Sequence, residues 1–74
     1  METEVVKFAN ARVRFELTSR RPGLTRVHTI YRGKEVVHTA TLPGDPAPLA
    51  ESLRERARSP ADVIRLVGKL GMAA

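Results

Sequence analysis

Residues 11–18 have the sequence Ala-Arg-Val-Arg-Phe-Glu-Leu-Thr, in which apolar and polar side chains alternate. A period of two is typical of a β-strand with one buried face, because successive side chains point to opposite sides of a sheet. The apolar positions Val13, Phe15 and Leu17 therefore predict a strand whose odd-numbered residues face a core. The charged residues between them are expected on the opposite face.

The alternation continues towards the N-terminus with one change of phase. Val6 and Phe8 are apolar on even positions, whereas the apolar residues after Asn10 fall on odd ones. A β-bulge near Ala9–Asn10 restores the register by inserting one residue, and it predicts a single long strand over 4–18. The alternative is a short loop at Asn10 that separates two strands.

Two further strands are predicted downstream. Pro22-Gly23 suits a type II turn, because proline fixes φ at one central position and glycine accepts a positive φ at the next. The second strand is expected over about 25–32 and the third over about 35–42, joined by a two-residue connection at Gly33-Lys34. Bringing all three strands onto one core face then requires a three- or five-residue loop or a bulge near Gly23.

Two helices are predicted after the strands, each beginning at a proline. Asp45 precedes Pro46, and its carboxylate is expected to accept hydrogen bonds from the free amides of a helix that ends near Arg58. Ser59-Pro60-Ala61-Asp62 resembles a capping box, and an apolar stripe from Val63 to Leu70 follows it, before Gly71.

These elements predict one α+β domain over 1–74, with a three-stranded antiparallel meander (1–44) followed by two C-terminal helices (45–74) packed on one face, a βββαα arrangement. The predicted core consists of the apolar residues that share those faces: Phe8, Val13, Phe15, Leu17, Val27, Tyr31, Val36, Leu49, Leu53, Val63, Leu66, Val67 and Leu70.

Composition excludes several classes of protein. With 74 residues and no cysteine, the chain has a thin core and no disulfides, thiol catalysis or cysteine-ligated metals. No apolar run is long enough to cross a membrane, and the N-terminal METEVVKF does not resemble a signal peptide. We therefore expect a cytoplasmic protein that does not associate with membranes.

Positive charge is concentrated in the predicted sheet. Thirteen Lys and Arg against eight Asp and Glu give a net charge of +5, and residues 1–44 hold eight of these bases and four of these acids. Ten of the 13 bases are arginine, whose forked guanidinium suits phosphate and carboxylate recognition. GC-rich coding is a simpler origin for the same arginine content.

The sequence shows no catalytic or cofactor-binding motif. Asp45 and Asp62 are explained by helix capping. No two glutamates have a spacing that would define a general acid and a general base. His28 and His38 are predicted on adjacent strands but on opposite faces, which does not suit a shared metal. We expect a non-enzymatic protein with no cofactor and no metal site.

Self-association is the first functional prediction. The last helix is apolar over more than one stripe, and a small domain with surplus apolar residues often covers them in a symmetric dimer. A protein-interaction or assembly module acting as a homodimer is therefore predicted, with another protein as a further partner. The expected interface residues are Ile64, Val67, Leu70 and Met72.

Nucleic-acid binding is the alternative prediction. Arginines on the polar sheet face, with Arg20, Arg21 and Lys34 on the loops, could follow a phosphate backbone. The predicted phosphate contacts are Arg12, Arg14, Arg21, Arg26 and Arg32. Single strands are disfavoured as targets, because all three aromatic residues fall on the predicted core face and leave none for base stacking.

Overall fold

The protein has four strands followed by two helices in this computed structural model, which describes residues 2–9, 11–33 and 35–71 and omits the side chains of 35–37. The elements in chain order are β1 (Thr3–Lys7), β2 (Val13–Arg21), β3 (Leu24–Tyr31), β4 (Glu35–Pro43), α1 (Pro46–Arg56) and α2 (Pro60–Leu70). The sheet is an antiparallel meander in the order β1-β2-β3-β4. The α+β class and the two C-terminal helices are confirmed, whereas the predicted strand count of three is wrong.

The fourth strand arises from the phase change near Asn10. β1 ends at Lys7 and β2, which begins at Val13, runs antiparallel to it, so that Val6 lies opposite Phe15. A hairpin, like a bulge, brings the even-numbered apolar residues before Asn10 and the odd-numbered ones after it onto one face. The single strand over 4–18 is therefore wrong, and the alternative of two strands separated by a loop is correct.

The β2–β3 connection agrees with its prediction. Gly23 has φ +83°, the left-handed value that a type II turn needs at its third position. A register shift between Ser19 and Arg21 is the predicted bulge. It allows Leu17 to lie opposite Val27 on the core face.

The β3–β4 connection is longer than predicted. Tyr31 pairs with Glu35, so three residues rather than two separate the paired strands, and Arg32 takes φ +55°. A second register shift after Thr29 compensates, so Val27 still lies opposite Ala40, the partner that a two-residue turn at Gly33-Lys34 would give it. Val36 pairs with Ile30, whereas that turn would place it opposite Tyr31. The predicted place of Val36 in the core lies outside the described side chains.

The capping predictions succeed for one helix and fail for the other. Ser59 Oγ accepts a hydrogen bond from the Asp62 amide at 3.3 Å, as the capping box predicts. Asp45 makes no side-chain cap, and its Oδ1 instead accepts from the Gly23 amide at 3.1 Å. Asp45 therefore ties the β2–β3 turn to the start of α1, which ends at Arg56 and not near Arg58.

Both helices pack on one face of the sheet. Strand residues Phe15, Leu17 and Val27 form one buried cluster with Leu53 of α1 and Val63 of α2. The prediction missed several buried residues on this face, namely Val6, Leu42, Ala50 and Ala57, together with Thr25 and Thr29. It also missed Ile30, which is buried on the opposite face of the sheet.

Two predicted core residues lie at the surface instead. Tyr31 and Leu70 are 42% and 39% exposed, because one ends β3 and the other ends α2. Neither described helix is long and apolar enough to cross a lipid bilayer.

Candidate nucleic-acid interface

The second face of the sheet has no described helix packed against it, and we call it the open face. Cross-strand pairing places residues on it in rows, because paired residues point to the same side. One row joins Lys7 to Arg14 and Ile30, the next joins Val5 to Glu16, His28 and Thr39, and the third joins Thr3 to Thr18, Arg26 and Thr41. The open face is therefore a polar and mainly basic surface across four strands.

One group of cations lies at the end of the sheet that carries the β1–β2 loop. Lys7, Arg12 and Arg14 line a shallow groove of about 230 Å³, and we call them the loop-end cluster. Lys7 lies directly opposite Arg14 in the register, an arrangement of like charges that destabilises a strand pair. Nothing in the packing of the sheet requires a lysine there.

A second group lies at the other end, beside the Pro22-Gly23 turn. Arg20, Arg21 and Arg26 line a groove of about 360 Å³ with Leu24 and Thr41, and we call the three arginines the turn-end cluster. The bulge between Ser19 and Arg21 brings two consecutive arginines to this groove. No described carboxylate makes a salt bridge to any of the three.

Arg26 is the least satisfied side chain of the turn-end cluster. Its Nε is buried and has no hydrogen-bond partner among the described residues. A buried donor without an acceptor costs about 1–3 kcal/mol, more for a charged group. A phosphate oxygen could reach this donor only if the Arg26 side chain shifted towards the groove.

Glu16 is the acidic residue of the open-face rows. Its Oε2 lies 3.0 Å from Arg14 Nε, and both side chains are about one-third exposed, at 33% and 37%. An exposed pair of this kind contributes at most about 1 kcal/mol. Glu16 partly offsets the loop-end cluster and leaves the turn-end cluster as the stronger anion-binding candidate.

The five predicted phosphate contacts are divided between the two ends of the sheet. Arg12 and Arg14 meet in the loop-end cluster, and Arg21 and Arg26 meet in the turn-end cluster. Arg32 lines neither cluster, and its guanidinium lies 5.1 Å from the centre of the Tyr31 ring. Its backbone amide donates a hydrogen bond to Arg12 O.

Sequence reasoning missed Lys7 as a member of this surface. Lys7 lies opposite Arg14, and this neighbour follows only from the β1–β2 hairpin. The change of apolar phase near Asn10 was the signal that could have revealed it.

The remaining ionisable groups of the described residues include two histidines and the carboxyl of Asp62. His28 and His38 lie on adjacent strands, opposite Thr39 and Thr29 and on different faces, as predicted. The described residues contain no group of three His, Asp or Glu that could hold a metal. The Arg58 amide donates to Asp62 and lowers the pKa of that carboxyl below its usual 3.8, with Arg65 adding to the effect.

The predicted dimer-interface residues have different environments. Ile64 is 45% exposed and lines an apolar groove of about 270 Å³ with Val13, Thr29, Tyr31 and Pro60. Leu70 is also exposed, whereas Val67 is buried in the core. Met72 lies outside the described residues.

Comparisons with protein-family models, with curated proteins and with solved structures find no match to this chain.

Proposed function

We propose that this protein binds duplex nucleic acid without catalysis, using the open face to contact the phosphate backbone. The observation that carries the proposal is the turn-end cluster, in which Arg20, Arg21 and Arg26 line one groove and make no salt bridge to a described carboxylate. Phosphate oxygens pair well with guanidinium groups and would offset the mutual repulsion of the three arginines.

The spacing of the two clusters supports a polymeric anion over a single phosphate. Arg14 lies opposite Ile30, which is four residues from Arg26 along β3, a distance of about 13 Å at the usual strand rise. A single phosphate cannot reach both ends of the sheet. A nucleic-acid backbone presents charge continuously over that distance.

The lack of aromatic residues on the open face supports a duplex over a single strand. The chain has two Phe and one Tyr. Phe8 and Phe15 pack edge to face, with ring centres 6.4 Å apart, and Tyr31 pairs with Val13 in the register of the core face. Single-strand platforms rely on stacking for about 1–3 kcal/mol per base, which this face does not offer.

Fluorescence anisotropy tests this proposal with a mixed-sequence DNA duplex, a structured RNA and a single strand, each at two salt concentrations. About five phosphate contacts should lower the association constant about 10²–10³-fold between about 50 and 200 mM salt. We expect the duplex and the structured RNA to bind more tightly than the single strand. No binding at the lower salt concentration would contradict the proposal.

Self-association is a second candidate function, as a homodimeric assembly or protein-interaction module in the cytoplasm. The observation that favours it is the exposed apolar surface of α2, where Ile64 and Leu70 are 45% and 39% exposed. The mass in solution tests it: a dimer should have twice the 8.2 kDa of the chain. A mass of one chain at all accessible concentrations would contradict it.

A further inference from the structure

The two edge strands of the sheet differ in how their outer backbone is covered. On β1, Arg54 Nη2 donates to Val5 O at 2.8 Å and to Glu4 Oε1 at 3.2 Å, so a side chain of α1 occupies that edge. β1 also carries the charges of Glu4 and Lys7. Charged residues and covering side chains are devices that prevent an edge from pairing with another chain.

The β4 edge lacks these devices over 38–42. This stretch, His-Thr-Ala-Thr-Leu, contains no Lys, Arg, Asp or Glu, and its pairing with β3 is regular from Thr25–Leu42 to Thr29–His38. The register shift of β4 and Pro43 lie just outside it. Among the described residues, no group hydrogen-bonds to the outer backbone of 38–42.

A groove runs along this edge beneath α2. It has a volume of about 460 Å³ and is lined by 38–41 on one side and by Val67, Gly68 and Gly71 on the other. Among the described residues, no heavy atom lies within 4 Å of a Cβ added at Gly68. Within that part of the chain, Gly68 therefore leaves open space beside the β4 edge.

We propose that 38–42 of β4 pairs antiparallel with the same stretch of a second copy, forming a two-fold symmetric dimer with a continuous eight-stranded sheet. The inference rests on the second candidate function, self-association, and names its interface. A second copy fits because 38–42 contains no charged residue, so no like charges meet within the strand pair when the stretch lies opposite itself.

The symmetric register brings compatible residues together. With the two-fold axis at Ala40, Thr39 lies opposite Thr41 of the second copy, and cross-strand Thr–Thr pairs are favourable. Both threonines are exposed and belong to the open face.

Helix α2 supplies the rest of the contact. A five-residue strand pair is smaller than the roughly 1,200 Å² that specific interfaces usually bury. Ile64 precedes Gly68 by four residues and so lies on the same side of α2, where it is 45% exposed. The missing side chain at Gly68 allows the two α2 helices to approach, and Ile64 provides apolar area.

The test measures solution mass by light scattering for the wild type and four variants. Gly68→Gln fills the open space, and Thr39→Glu/Thr41→Glu places like charges opposite each other across the proposed pair. Lys69→Gln, one position away on another side of α2, is the control for the first. Thr3→Glu/Val5→Glu, which puts the same charges on the open face of β1, is the control for the second.

We expect a dimer for the wild type and both controls, and a mass of one chain for Gly68→Gln and Thr39→Glu/Thr41→Glu at the same concentration. Circular dichroism should show both interface variants folded, since glutamine has a higher helix propensity than glycine and both threonines are exposed. Hydrogen exchange should show protected β4 amides in the wild type that lose protection in both interface variants.

Two results would overturn the inference, and they differ in what they leave standing. A dimeric wild type whose two interface variants remain dimeric would refute pairing through β4 and leave self-association in place. A monomeric wild type would refute both.

Discussion

At the scale of single residues, two side chains that have a possible partner nearby in the sequence bind a distant one instead. Asp45 has the sequence context of an N-cap, yet its carboxylate bonds the Gly23 amide 22 residues away. Arg54 has Glu51 within helical reach, yet it binds Glu4 and Val5 O of β1. In both cases a partner brought close by tertiary packing displaced the local one, which sequence spacing alone does not reveal.

Asp62 acts locally, and its role gives a prediction about pH. Hydrogen bonding from the Arg58 amide lowers the pKa of Asp62 in the folded state. A lowered folded pKa means that the ionised carboxylate stabilises the fold above its usual value of 3.8, and that this contribution is lost as the pH falls through the folded pKa.

Asp62→Asn should therefore lower the melting temperature at neutral pH, and the difference from the wild type should shrink as the pH falls below 3.8. Thermal melts across this range measure it. Glu51→Gln is the control, since Glu51 is exposed and makes no described side-chain hydrogen bond. An equal deficit for Asp62→Asn at every pH would contradict the capping role.

At the scale of elements, β1 gives the clearest test of the four-stranded topology. Val6 is 1% exposed in the core, while its neighbour Val5 is 36% exposed on the open face. Removing two buried methyl groups should cost about 2–3 kcal/mol, from about 0.8 kcal/mol per group plus the cavity left behind.

Val6→Ala should thus lower the free energy of unfolding by about 2–3 kcal/mol, whereas Val5→Ala should change it by less than about 0.5 kcal/mol. Urea unfolding measures both. A single strand over 4–18 with a bulge also buries Val6, so the loss of stability in Val6→Ala does not show that β1 pairs with β2. A double variant tests that pairing. Phe15→Ala combined with Val6→Ala should be non-additive, because the two residues face each other.

The sequence predicted most elements because their signals are local. The alternation around Phe15, the proline starts of both helices and the Ser59 cap each depend on neighbouring residues. The β1–β2 hairpin could not be distinguished from a bulge, since both give Val6 and Phe15 the same face. The β3–β4 turn was misjudged because a left-handed Arg32 has no marker in the sequence.

The same limit applies to the candidate site. Four of the five predicted arginines line the two clusters, because strand alternation already placed Arg14 and Arg26 on the polar face. The sequence did not predict the β1–β2 hairpin, and so it did not predict that Lys7 lies beside Arg14. The division of the cations into two clusters depends on which loops lie at the same end of the sheet, and this follows only from the strand order.

At the scale of the whole molecule, charge is segregated between two layers. The helical layer contains nearly equal numbers of acids and bases, while the open face has cations at both ends and Glu16 between them. The proposed β4 pairing places both open faces on the same side, because its two-fold axis is perpendicular to the sheet. One duplex could then contact two copies, which joins the two candidate functions.

The most direct test of nucleic-acid binding compares two triple variants that remove the same charge from different layers. Arg20/Arg21/Arg26→Gln removes the turn-end cluster, and Arg56/Arg58/Lys69→Gln removes three exposed cations from the helical side. Duplex binding is measured by anisotropy as a function of salt. We expect the sheet variant to lower the salt slope by about 3 and the helical variant to leave it nearly unchanged. Equal weakening by both variants would show that net charge alone drives binding, and it would contradict an interface on the open face.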